Sequence, residues 1–144
     1  MTPSESTDRR ETPPSSCRIL TVEDDPDVAE SFALLLKMCG NEVCTVSNGI
    51  AAIEAARKFH PTIAFIDIDL PGMNGYELAR EFRREYGSSL RMFALTGFGQ
   101  QRDIARSMDA GFDMHLVKPI DIGSLQRLLH APDDTLPRSG GGAA

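Results

Sequence analysis

The stretch FIDIDLPGMNG, residues 65–75, decides how this chain folds. It continues an apolar run over 62–66 that offers no polar face, so it reads as a strand buried on both sides of a sheet. The run stops at Asp67, allows one more apolar residue, reaches Asp69, and turns through Pro71-Gly72 and Asn74-Gly75. A buried carboxylate without a partner is costly. A strand that ends inside the protein on Asp67 therefore calls for a compensating charge.

Outward from this stretch, short apolar strands alternate with helical spacing. Residues 18–22 (RILTV) form the first strand. Past Pro26, the residues Val28, Phe32, Leu35, Leu36 and Cys39 recur at helical intervals until Gly40. Residues 42–46 (EVCTV) make a second, more polar strand, and Ser47 or Asn48 caps a helix with Ala52, Ile53 and Ala56 inward. Tyr76, Leu78, Ala79 and Phe82 mark a third helix closed by Gly87. A fourth strand (91–95, RMFAL), a weak polar helix (100–110), a fifth strand (114–117, MHLV) and a last helix with Ile122, Leu125, Leu128 and Leu129 follow. Such alternation predicts an α/β fold: a parallel sheet with helices on both faces, joined by right-handed crossovers.

The chain of 144 residues fits one domain, and its 41% hydrophobic content supports one core. Residues 1–16 and 132–144 hold mostly Pro, Ser, Thr, Gly and charge, so they read as disordered tails around a folded unit at 17–131. The net charge of −6 argues against nucleic acid as a partner. Cys17, Cys39 and Cys44 are odd in number and form no C-x-x-C pair, which favours a reducing compartment and small apolar fillers. No run suits a signal peptide or a membrane span. A cytoplasmic location with no membrane association is expected.

In a parallel α/β sheet the site lies at the carboxyl ends of the strands. There the sequence places Glu23-Asp24-Asp25, Asp67-Ile68-Asp69, Thr96-Gly97 and Lys118-Pro119. Carboxylates gathered at one edge repel, so either their pKa values rise or a cation enters. Oxygen ligands alone suit a hard ion such as Mg²⁺, and the absence of His or Cys from these strand ends speaks against zinc. A metal, the Lys118 ammonium and the Thr96 hydroxyl around one carboxylate can hold phosphoryl oxygens, and Asp67 can be the nucleophile that becomes an aspartyl phosphate. Singly these residues are ordinary: Asp25 equally suits a helix cap, Asp69 a turn, Thr96 a strand end and Lys118 a solvated surface.

Together, ILTVEDDPDV, PTIAFIDIDLPGMNGYEL, ALTGFGQ, AGFD and HLVKP resemble the receiver domain of two-component response regulators over about residues 17–131. The resemblance implies a flavodoxin-like, doubly wound five-stranded parallel sheet of order 2-1-3-4-5. It implies Asp67 as phosphoacceptor, Asp24 as a direct Mg²⁺ ligand, Glu23 acting through water, and a backbone carbonyl from Asp69. Thr96 and Lys118 would bind the phosphoryl group, and Thr96 with His115 would form the switch. Pro119 corresponds to a cis-proline that directs Lys118, and Phe98 would stand beside the phosphoryl group and slow its hydrolysis. The implied donor is a histidine kinase or a histidine phosphotransfer protein. The protein would catalyse only its own phosphorylation and dephosphorylation. With only a short tail beyond the receiver, output is expected through contacts with a downstream protein. ALTGFGQ and HLVKP also look like receivers of hybrid histidine kinases. One alternative is a haloacid-dehalogenase-type phosphatase, which also uses an Asp-x-Asp such as Asp67-Ile68-Asp69. That family needs an acidic motif after its lysine, where this chain offers only Asp133-Asp134 in the tail. Another alternative is an interaction module independent of phosphorylation.

Overall fold

The computed structural model describes residues 17–97, 104–118 and 120–130. The expectations for Phe98, for Pro119, for both tails and for the start of the weak helix lie outside these residues. The elements are β1 (Arg18–Val22), α1 (Pro26–Met38), β2 (Glu42–Val46), α2 (Gly49–Phe59), β3 (Ile63–Asp67), α3 (Gly75–Tyr86), a 3₁₀ turn (Gly87–Ser89), β4 (Arg91–Thr96), α4 (Ile104–Ala110), β5 (Met114–Val117) and α5 (Ile122–His130).

Local chemistry starts the helices where the sequence suggests. Asp25 caps α1 by accepting the N–H groups of Asp27 and Val28. Asn48, rather than Ser47, caps α2 through the Ala51 N–H. Asn74 and Glu77 form a reciprocal capping box at α3, and Asp121 accepts the Ser124 N–H at α5. The end of α2 is less favourable. His60 closes that helix in the left-handed conformation, with φ 57°, where a side chain is strained. His60→Gly is expected to stabilise the fold by about 0.5–1 kcal/mol. Urea denaturation checks this, and an unchanged or lower midpoint would show that the imidazole compensates the strain.

All strands are parallel, in the order β2-β1-β3-β4-β5. One face of the sheet carries a core of Leu20, Ile66, Ala94, Leu78 and Phe82 under α2, α3 and α4. The other carries Ile19, Phe65, Phe93, Phe32 and Leu125 under α1 and α5. Alternation along β3 explains the opening run: Ile63 and Phe65 belong to one core, Ala64 and Ile66 to the other. Two boundaries differ from expectation. β3 starts at Ile63, the first residue in register with both β1 and β4, and includes Asp67, which pairs with Leu95. β4 runs on to include Thr96, paired with Val117. On α1, Ala29 and Ala33 are buried beside Phe32 and Leu36, while Val28 and Leu35 are only half-buried.

The chain steps from β1 outward to β2, then crosses back past β1 to β3 and continues to β4 and β5 on that other side. The reversal opens a crevice above the carboxyl ends of β1 and β3.

Candidate functional site at the strand ends

Glu23 and Asp24 follow β1, Asp67 ends β3 and Lys118 follows β5. The fold brings them together. One carboxylate oxygen each from Glu23, Asp24 and Asp67 lies within 4.8 Å of the other two. Lys118 Nζ spans two of them, 2.9 Å from Glu23 Oε1 and 3.2 Å from Asp67 Oδ2. Glu23 and Asp67 are buried, whereas Asp24 faces solvent. Remaining oxygens take backbone donors: the Asp25 N–H reaches Glu23 Oε2 at 3.1 Å and the Asp69 N–H reaches Asp67 Oδ1 at 3.0 Å.

Asp69 is exposed and its backbone, not its carboxylate, touches Asp67. Thr96 is buried at the same sheet edge. Its hydroxyl donates to the Leu116 carbonyl at 3.4 Å, and its own carbonyl accepts the Lys118 N–H at 2.7 Å. That second bond sets where Lys118 leaves β5. His115 pairs with Ala94, two residues down the sheet from Thr96 and Val117. Met114 and Leu116 pack toward α1 and α5, so His115 and Thr96 share the opposite face, that of α4.

Close backbone packing fixes the loop after β3. The Gly75 N–H donates to the Ile68 carbonyl at 3.0 Å, and a Cβ on Gly75 would lie 2.7 Å from the Asp67 carbonyl oxygen. Only glycine lets α3 begin this near the end of β3. Beside the cluster an apolar groove of about 460 Å³ runs between α1 and the β5–α5 connection, lined by Val28, Phe32, Leu35, Leu95 and Ile120.

The electrostatics are those of a site with surplus negative charge. Burial pushes the Glu23 carboxyl above its ordinary value of 4.5, beyond what Lys118 and the Asp25 N–H recover, and the Asp67 charge adds to the rise. Lys118 is partly desolvated, which alone would lower it. The hydrogen bond it donates to Glu23 and the charge of Asp67 outweigh that and raise it. A single ammonium against three carboxylates leaves the cluster anionic. All donors are oxygens, with no His or Cys among them, which fits a hard divalent cation such as Mg²⁺.

A pH dependence follows. The folded chain binds the Glu23 proton more tightly than the unfolded chain. Its contribution to stability is therefore full below pH 4.5 and is lost as pH rises through the elevated folded value. Glu23→Gln removes that loss and leaves Lys118 paired with Asp67. Without divalent cation, the variant should gain on wild type as pH rises above 4.5. Saturating Mg²⁺ should stabilise wild type more than the variant. Thermal melts at several pH values check both; parallel pH profiles would mean that Glu23 ionises without penalty.

The sequence expectation assigned Glu23 to a metal and Lys118 to a phosphoryl group. It did not foresee that each partners the other. It also passed over Arg83, which joins four segments through Gly87, Leu90, Gly111 and Asp113. Arg83 stands four residues after Ala79 and seven after Tyr76, on the apolar side of its helical repeat, and a charge at such a position is the one local signal that could have marked it. Asp113, in the quoted AGFD, was visible only as part of a motif.

Comparison with known proteins bears on this site. The response regulator receiver domain family matches residues 19–130. The DNA-binding response regulator MtrA of Mycolicibacterium smegmatis is 33% identical over 102 residues, covering 71% of this chain and 44% of MtrA. The transcriptional regulatory protein CseB of Streptomyces coelicolor is 32% identical over 124 residues, 86% of this chain and 52% of CseB. This chain thus spans about half the length of the curated relatives it matches. A CheY-like receiver domain protein from Methanospirillum hungatei superposes with a TM-score of 0.72 at 25% identity, covering 79% of this chain and 90% of that one.

Proposed function

The chain belongs to the response regulator receiver domain family of two-component signalling, and on that premise we propose that Asp67 accepts a phosphoryl group from a phosphohistidine on a histidine kinase or histidine phosphotransfer protein. The observation that carries this reading is the pairing of Lys118 Nζ with a buried Asp67 inside a cluster of three carboxylates. Family membership replaces the haloacid-dehalogenase alternative.

In the proposed step an Asp67 oxygen attacks phosphorus in line with the leaving imidazole. The phosphorus–nitrogen bond breaks as the new phosphorus–oxygen bond forms, and the electron pair returns to the imidazole ring. Glu23, Asp24, Asp67 and the Asp69 carbonyl would hold Mg²⁺, which when bound supplies positive charge against the phosphoryl oxygens. Lys118 needs only to shift its ammonium from the Asp67 carboxylate to a phosphoryl oxygen. Thr96 gives up a long bond to the Leu116 carbonyl and turns its hydroxyl to another. His115, on the same face, follows the space that Thr96 leaves. Phosphorylation then favours one of two packings of the face around α4 and β5, which a downstream protein reads. The reaction is stoichiometric, with the protein as both substrate and catalyst, and takes place in the cytoplasm. Among the described residues, no helix is long and apolar enough to cross a membrane.

The direct test is incubation with acetyl phosphate and Mg²⁺, read by intact mass. One phosphoryl group per chain, absent when a chelator is added, supports the proposal. No incorporation leaves an interaction module independent of phosphorylation. Repeated release of phosphate faster than the labelled protein decays would make the protein a phosphatase instead.

A further inference from the structure

The helix α4 sits on the protein in an unusual way. It has seven residues, of which Ala105, Arg106, Met108 and Asp109 are exposed and Ala110 is buried. Its neighbour is α3 more than the sheet. At its C-terminal end it is firmly mounted: Ala110 and Phe112 enter the core, and Arg83 donates to the Gly111 carbonyl and pairs with Asp113 at 3.2 Å. Nearer its other end, the Arg106 guanidinium stacks over the Tyr76 ring of α3, 4.2 Å from its centroid. Tyr76 is buried and also meets Phe112 edge-on at 6.3 Å. Gly111, at φ 107°, supplies a pivot between the mounted end and β5.

Tyr76 is next to Gly75, whose backbone is bonded to Ile68 and packed against the Asp67 carbonyl. The ring under Arg106 is therefore tied by backbone to the residue that carries the site. We propose that Arg106 and Tyr76 form a releasable latch that holds the N-terminal half of α4 against α3, and that a change in the loop from Asp67 to Gly75 opens it. The latch is a route from the site to α4 separate from Thr96 and His115, and its link to phosphorylation rests on the function proposed above. Arg106 is a positioning residue: its planar cation covers an apolar ring that water would otherwise reach.

A surface cation–π contact of this kind corresponds to roughly a two- to five-fold change in population. Amide hydrogen exchange of the full chain reads it. In the unphosphorylated protein, Arg106→Ala should speed exchange of residues 105–110 by about that factor, with β4 amides unchanged and with partial recovery in Arg106→Lys. Beryllofluoride with Mg²⁺, a mimic of the phosphoryl group, should speed exchange at α4 in wild type and add less in Arg106→Ala. Wild-type rates at α4 in resting Arg106→Ala would overturn the latch, as would an equal rise throughout β4. Equal increments from beryllofluoride in both proteins would overturn its link to the site. The resting comparison needs no phosphorylation, so failure of Asp67 to take the mimic would count against the proposed function and leave the latch to be judged by exchange alone.

Discussion

Asp67→Asn is expected to abolish phosphoryl acceptance from acetyl phosphate, with no added mass under conditions that label wild type fully. The amide has the shape of the carboxylate and keeps an oxygen for the Asp69 N–H, now 3.0 Å from Asp67 Oδ1. What it lacks is an anionic oxygen able to attack phosphorus. The fold should survive the change. Asp67 is buried beside Glu23 and Asp24, so loss of one negative charge relieves repulsion in the absence of metal. A thermal midpoint at or above that of wild type should therefore accompany the lost activity. This pairing separates a missing nucleophile from a damaged protein. Undiminished labelling of the variant would place the acceptor on another side chain.

Arg83→Ala should be strongly destabilising although it lies away from the site. Arg83 Nη1 donates to the Leu90 carbonyl at 2.8 Å and to the Gly87 carbonyl at 2.5 Å, while Nη2 serves the Gly111 carbonyl and Asp113 Oδ2. Its stem packs on Gly111, where a Cβ would come within 3.2 Å of the Arg83 Cβ and Cγ. Asp113 in turn accepts the Met92 N–H at 2.8 Å. One guanidinium thus joins the end of α3, the 3₁₀ turn, the start of β4 and the turn into β5. Truncation leaves half-buried carbonyls to find water, so a loss of about 2–3 kcal/mol is expected. Arg83→Lys should recover only a fraction, because one ammonium cannot serve four acceptors spread over a planar fork. Urea denaturation decides it. A loss below about 0.5 kcal/mol, within the range of ordinary surface changes, would mean that solvent replaces these contacts.

The two cases differ in how far the sequence could have led to them. Asp67 stands out because an apolar strand has no local reason to end on a carboxylate. Arg83 carries a weaker mark, a charge at an apolar-face position of its helix. Its helix reads correctly from Tyr76, Leu78, Ala79 and Phe82, all of them buried, but the carbonyls it gathers belong to turns up to 28 residues away. The pairing of Glu23 with Lys118 is hidden for the same reason, since the two are 95 residues apart. The Arg106–Tyr76 contact is likewise invisible in sequence, because it depends on how α4 is set against α3.

The sequence by itself determined the α/β class, the positions of the strands and helices, and which strand ends carry charge. Those features repeat at short intervals, and a strand or helix declares itself through side-chain spacing and capping residues. Tertiary structure alone decided the partners: which oxygen Lys118 touches, why Gly75 must lack a Cβ, and which arginines bridge the elements. Such contacts depend on sub-ångström placement of groups brought together from distant parts of the chain, and no local periodicity encodes that placement.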